Sequence, residues 1–333
     1  MAHKNLVAVY GAAGHTGTFV VNELRRRGIA VLAVARDISR IAEGIPAVAA
    51  GIDNPAALDA AFAGCAIVIN CAGPFLDTAA PIVEAALRAK ASYLDVTAEQ
   101  PAARALFDGY HERAREVGIA IIPAAGFYGG LADLMASALV GDGHADEITT
   151  AVALDHWWPT EGTRITGERN KSPRMMVEQG HLTPIALPAQ EIDWTFAQPF
   201  NTQRMVELSF SEVTTISHHI AVDSLHSYFS LGPLEEVRSA TTPEPAAVDA
   251  DGRSAQRFMM EVVARTGTET RRARATGQDI YAISAPIIVE AAARMLQPSF
   301  QQRGALSLGQ AFEPKAFLDA LASSHLAIQL ASE

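Results

Sequence analysis

Cysteine is almost missing from this sequence: Cys65 and Cys71 are the two in 333 residues, too few to staple a disulfide framework. Both fall in or beside one apolar run that reads as a buried strand, so reduced thiols and a cytoplasmic location are expected. Positive charge is also in deficit. Lys and Arg number 26 against 37 Asp and Glu, a formal net charge of -11, which excludes the broad basic surface that a nucleic-acid partner requires. No apolar stretch continues for about 18 residues without a charge, proline or glycine, so no membrane-spanning helix is expected. The opening MAHKNLVAVYGAAG runs straight into a strand-like segment and shows no secretory-leader pattern. Internal repeats and low-complexity tracts are missing too.

What is present is an alternation of strand and helix. LVAVY, VLAVAR, AIVINCAG, ASYLDVT and IAIIPAAG are strand-like and nearly all apolar, with AVAAGID as a weaker strand. Between them lie helical runs such as TGTFVVNELRRRG, PAALDAAFAG and TAAPIVEAALRAK. Strands apolar on both faces belong to a parallel sheet covered by helices, a Rossmann-type doubly wound α/β fold. From Gly129 the pattern changes. ITTAVALDHWW, MVELSFSEVTTI and RFMMEVVARTG read as longer strands, DIYAISAPIIVEAAARML and FEPKAFLDALASSH as helices. The expected organisation is a dinucleotide-binding domain over 1–128, an α+β domain of mainly antiparallel sheet over 129–276 for substrate and dimerisation, and a helical segment over 277–333 that returns to the first domain.

Gly11, Gly14 and Gly17 in GAAGHTG stand between the first strand and helix. That spacing permits a sharp turn, lets backbone approach a pyrophosphate and lets helix pack on sheet, while the helix N-terminus meets the phosphates. Ala13, His15 and Thr16 belong to the same turn, with His15 read as solvent-facing. The second strand ends on Ala35, where an acid would take the ribose hydroxyls of NAD. Arg36 and Arg40 follow instead, which favours NADP(H); the alternative is an NAD site using Asp37. Asp53 either lies near the adenine or caps the PAALDAAF helix. Cys71, Ala72, Gly73, Pro74 and Phe75, after the fourth strand, are placed at the nicotinamide end of the crevice.

GAAGHTG, VAR, GCAIVINCAGPF, APIVEAALRAKASYLDVTAEQ and IIPAAGFYGGLADLMA, taken in order, resemble the NADP-binding domain of the saccharopine dehydrogenase-like oxidoreductases. The resemblance covers about the first 140 residues and implies a nicotinamide-dependent oxidoreductase whose substrate is not transferable. Two departures stand out. Ala98 replaces a glycine common before the glutamate that follows the fifth strand, and Tyr128 and Gly129 replace an acidic and proline-containing stretch.

Hydride transfer requires positioning and a proton donor. Tyr128 and His156 are the expected donors; Asp95 and Thr97 are placed on the cofactor, and Glu99, Phe127, Thr163 and Arg164 on the substrate. His218, His219 and His226, read as lying on a strand, do not converge on one face, so no metal is expected. None of the six tyrosines has lysine four positions later, which argues against the short-chain dehydrogenase pair. The expected function is an NADP(H)-dependent reductase of a C=O, C=N or C=C bond in a small organic substrate, as a homodimer. The alternatives are a non-catalytic NADP-binding sensor and a structural dimer-forming protein.

Overall fold

A computed structural model describes residues 5–322 and 325–332. The first unit alternates β1 (Val7–Tyr10), α1 (His15–Arg26), β2 (Val31–Ala35), β3 (Ala47–Ala49), α2 (Pro55–Phe62), β4 (Ile67–Asn70), α3 (Phe75–Ala89), β5 (Ser92–Asp95), α4 (Gln100–Val117) and β6 (Ala120–Ile122). A π-helical turn (Phe127–Leu131) leads into α5 (Ala132–Val140). The second unit contains β7 (His144–Leu154), α6 (Glu161–Arg169), β8 (Met175–Glu178), β9 (His181–Pro184), β10 (Glu191–Thr195), β11 (Thr202–Glu207), α7 (Ser211–Ser217), β12 (Ala221–Ser230), α8 (Leu231–Arg238), β13 (Arg257–Thr266) and β14 (Glu269–Gln278). The chain ends with α9 (Ser284–Met295), β15 (Gly304–Ala305), α10 (Leu308–Ala311), α11 (Pro314–Ala322) and β16 (Ala327–Ser332).

The first sheet is parallel, in the order β15-β6-β5-β4-β1-β2-β3. Its chain order reverses between β1 and β4, and in such sheets the crevice at the carboxyl end of that switch point takes the ligand. Apolar strands make the sheet possible: Val7, Ala8, Val9, Ile67, Val68 and Ile69 are all buried. α2, α3 and α4 cover one face. α1 and α9 cover the other, in a core that continues through α5 into the second sheet.

The second sheet runs β10-β11-β12-β7-β13-β14-β16, with β8 and β9 paired off β12. It is antiparallel except for β12 beside β7. Both sheets receive a strand from the chain's last 30 residues, β15 and β16. One face of this sheet is partly covered by its own β10–β11 hairpin, with Phe196 and Phe200 clustered on Ala151, Ala153 and Met259. Among the described residues, no helix is long and apolar enough to cross a membrane.

MVELSFSEVTTI is not one strand. β11 ends at Glu207 and α7 begins at Ser211, where the Glu212 carboxylate turns back to accept the Phe210 N–H at 2.9 Å. The β-branched run Val213–Ile216 is helical because burial on α5 and the π-helical turn outweighs its strand propensity. His218 and His219 therefore sit at the end of a helix, not on a strand. His218 stacks on Phe107, His219 bonds Asp133 at 2.7 Å, and His226 on β12 bonds Glu207 at 2.7 Å.

The tightest approach in the first unit is at Gly17, where an added Cβ would lie 2.1 Å from the Gly11 carbonyl oxygen. Gly17→Ala is expected to push α1 off the turn and cost about 1–3 kcal/mol. Urea unfolding checks this; unchanged stability would overturn it.

Candidate functional site

A cleft of about 1680 Å³ runs along the carboxyl ends of the first sheet, roofed by α6 and by the loop 239–252. At one end it meets the glycine turn. Gly11 has φ +79°, and an added Cβ there would touch the Ala72 nitrogen at 2.9 Å, so the β1 and β4 turns close on each other with no room for a side chain. Gly11, Ala13, Gly14, His15 and Thr16 line the cleft, while Gly17 lies behind them in the helix packing. The first N–H groups of α1 have no carbonyl one turn before them and no side-chain cap, which suits a pyrophosphate.

His15 is not solvent-facing. Its ring packs edge-on against Phe19 at 5.2 Å and Tyr281 at 5.4 Å, its Nε2 is buried without a partner, and burial lowers its pKa. Arg36, Asp37 and Arg40 line the cleft beyond β2, all exposed. Asp37 already accepts the Ser39 N–H at 2.9 Å, whereas neither arginine has an ion-pair partner among the described residues. Asp53 lies outside the lining, and the α2 cap is its neighbour Asn54, which accepts the Ala57 N–H.

Past the switch point, Cys71, Ala72, Gly73 and Phe75 line the cleft and Pro74 does not. Burial raises the Cys71 thiol pKa, which keeps it protonated and unreactive. After β5 the extended chain alternates: Val96 and Ala98 face the cleft, while Asp95 and Thr97 point into the protein. Asp95 and Thr97 are thus not cofactor contacts. Asp95 Oδ1 accepts the N–H groups of Thr97 (3.0 Å) and Ala124 (2.8 Å), and Oδ2 accepts the Tyr93 hydroxyl (2.8 Å). Tyr93 in turn accepts from Asn70, whose own carbonyl holds the Ala72 N–H. Glu99 lines the cleft, but its oxygens accept the Phe75 and Leu76 N–H groups at the start of α3, and burial raises its pKa. It anchors the turn that the substrate would meet.

The two expected proton donors are not in place. Tyr128 lines the cleft with its ring, stacked on Phe210 at 4.3 Å, but its hydroxyl is buried without a partner and its pKa is raised well above the ordinary value by burial. His156 is outside the cleft: it stacks on Trp158 and its Nδ1 meets Glu236 at 2.9 Å, because β7 ends at Leu154 and the chain turns outward there. Phe127 and Thr163 do line the cleft. Arg164 lines it too, with its guanidinium held by the carbonyls of Ser239 and Thr242, so it fastens the 239–252 loop to α6.

Sequence reasoning missed the wall opposite. Tyr281, before α9, accepts the Trp157 indole N–H (3.0 Å), and its hydroxyl is hydrogen-bonded to Thr163 Oγ1 (2.9 Å), which also meets Thr160 Oγ1 at 3.0 Å. An added Cβ on Gly73 would lie 2.9 Å from Thr166 Oγ1, so α6 rests on the β4 turn. Arg174, in NKSPRMM, also lines the cleft; nothing in that stretch marks it.

Residues 7–122, from β1 to β6, match the model of the saccharopine dehydrogenase NADP binding domain. Over this domain the chain is similar to the saccharopine dehydrogenase-like proteins. A saccharopine dehydrogenase-like oxidoreductase of Bos taurus is 30% identical over 152 residues, covering 38% of this chain and 35% of that protein. A putative trans-acting enoyl reductase of Mycobacterium tuberculosis is 32% identical over 145 residues, covering 40% of this chain and 35% of that protein. The chain thus spans about a third of the length of these relatives. In fold it is similar to saccharopine dehydrogenase (L-Glu forming) of Saccharomyces cerevisiae, with a TM-score of 0.66 at 12% identity over 98% of this chain and 100% of that one. It is likewise similar to C. glutamicum DAP dehydrogenase, with a TM-score of 0.54 at 12% identity over 97% and 99%. Ala98 puts a methyl on the cleft wall.

Asp95 gives the site a pH signature. Burial pushes its carboxyl up to about 6, against the three bonds that favour the charge. The folded state therefore holds a proton that the unfolded chain has released between about pH 4 and 6, so this stabilisation is complete below that window and lost as pH rises through it, on the order of 3 kcal/mol. Asp95→Asn is expected to remove this slope, leaving the wild type with a larger stability lead at pH 4 than at pH 7. Urea unfolding at the two pH values reads it; equal leads would refute it.

Proposed function

We propose that the protein is an NADP(H)-dependent reductase that delivers hydride to a C=O, C=N or C=C bond of a small organic substrate held beneath α6. The observation that supports this most is the continuity of one cleft. It runs from the glycine turn and Arg36, past the β4 turn, to a wall of Phe127, Tyr128, Trp157 and Phe210. A non-catalytic sensor has no use for that last, enclosed portion. The name of the trans-acting enoyl reductase similar to this chain agrees with a reductase, and the similar domain is an NADP-binding one.

Within this reading Arg36 and Arg40 pair with a 2′-phosphate, and Asp37, tied to Ser39, leaves the site to them. A bound nicotinamide supplies the hydride. The chain holds the nicotinamide end between the β4 turn and Val96–Ala98, and brings a proton along the hydroxyls from Tyr281 to Thr163 on the opposite wall. This replaces Tyr128 and His156 as donors. A homodimer through the second sheet belongs to the same reading on narrower ground, the partly exposed Leu330 on edge strand β16; sedimentation would expose a monomer.

Titration of intrinsic fluorescence is expected to show NADPH binding tighter than NADH. In Arg36→Ala the NADPH affinity falls roughly tenfold or more with NADH little changed, as for loss of one charge-assisted pair. Equal affinities in the wild type would sink the cofactor choice. A screen of ketones, imines and activated alkenes with NADPH then names the bond, and silence across it with cofactor bound would favour the sensor. Thr163→Val is expected to lower kcat by roughly 100-fold at unchanged NADPH affinity, the ordinary scale for a lost proton donor. An unaltered kcat would remove the hydroxyl chain from the mechanism.

A further inference from the structure

Arg174 is built into the cleft wall. Its backbone continues into Met175, whose N–H donates to Gln100 Oε1 (2.9 Å) and whose carbonyl accepts from Gln100 Nε2 (3.0 Å) and Ser209 Oγ (2.6 Å). Gln100 is itself buried at the start of α4. The guanidinium lies 4.9 Å from the centre of the Phe210 ring, and Nη1 donates to the Ser209 carbonyl at 3.1 Å. Among the described residues no carboxylate reaches ion-pair distance of it.

The acids whose charge acts on Arg174 are Glu212 and Glu99. Both are engaged elsewhere: Glu212 accepts the Phe210 N–H with both oxygens, and Glu99 holds Phe75 and Leu76. The remaining acids on the cleft, such as Glu161, Glu168 and Glu244, are exposed. A half-buried guanidinium, stacked on an aromatic ring, retains donors that burial makes costly to leave without a counter-charge. Its planar fork matches a carboxylate.

Resting on the reductase reading, we propose that Arg174 is an anion subsite. The substrate carries a carboxylate on an apolar acyl or aryl body, with no ammonium group beside it. The guanidinium meets the carboxylate, and Phe127, Tyr128, Trp157 and Phe210 meet the body. An amino acid is disfavoured, because the two acids near Arg174 are already engaged and none is free to pair an ammonium.

The test is calorimetric titration of the full chain, saturated with NADP, with trans-cinnamate and hexanoate against their neutral amides and against L-phenylalanine and L-norleucine. The free acids are expected to bind roughly tenfold or more tightly than either set, the scale of one charged hydrogen-bonded contact. Arg174→Gln is expected to erase the preference and Arg174→Lys to keep part of it, with NADPH affinity unchanged in both. Equal affinity for acid and amide, preference for the amino acids, no binding of any acid, or a preference surviving in Arg174→Gln each overturns the subsite. The wild-type comparison decides even if the glutamine variant fails to fold. NADPH binding is read separately: its failure overturns the reductase reading, whereas its success without acid preference overturns the subsite alone.

Discussion

The carboxylate of Asp95 is the point on which the cleft depends. Three loops at the carboxyl end of the first sheet have no regular structure to hold them, and each has backbone N–H groups that must find a partner. Asp95 ties the β5 loop to the β6 loop through Thr97 and Ala124, and through Tyr93 and Asn70 it reaches Ala72 in the β4 turn. Glu99 completes the circuit by holding the start of α3. A fully buried acid is costly, and here the cost is offset because one group links the turns after β4, β5 and β6.

Strands β1 to β6 of the first sheet were legible because they are nearly all apolar and their helices carry ordinary stop signals, such as Gly118 after α4 at φ +82°, whereas the two-residue β15 lies in a segment expected to be helical. The second sheet was read less well. Val213–Ile216 looks like a strand by composition and is a helix because of what it packs against, a contact made with residues some 80 positions away. Propensity carries no information about such partners.

The candidate site divides in the same way. The phosphate turn and the arginines after β2 follow from local geometry and could be read in order. Asp95 and Thr97 were read as ligand contacts because they sit at the right height on the sheet, but which way a side chain points after the last paired residue depends on alternation, and Val96 and Ala98 took the cleft side. Tyr281 and Arg174 arrive from elements more than 100 residues apart, with no spacing between them for a pattern to detect. His156 was read as a donor from its place at the start of the second region, and the early end of β7 carried it outward.

Both sheets are completed by the end of the chain. β15 forms the outer edge beside β6, β16 the edge beside β14, and the helix α9, packed on α1, holds Arg27 through Glu290. Two of these partnerships, β15 with β6 and α9 with α1, join residues more than 180 positions apart, which makes loop closure slow relative to local structure. During synthesis the nucleotide-binding strands β1 to β6 emerge early yet have one face without α9. The cleft wall carrying Tyr281 cannot stand until the residues through α9 have left the ribosome, so a shorter nascent chain exposes apolar surface but presents no finished pocket.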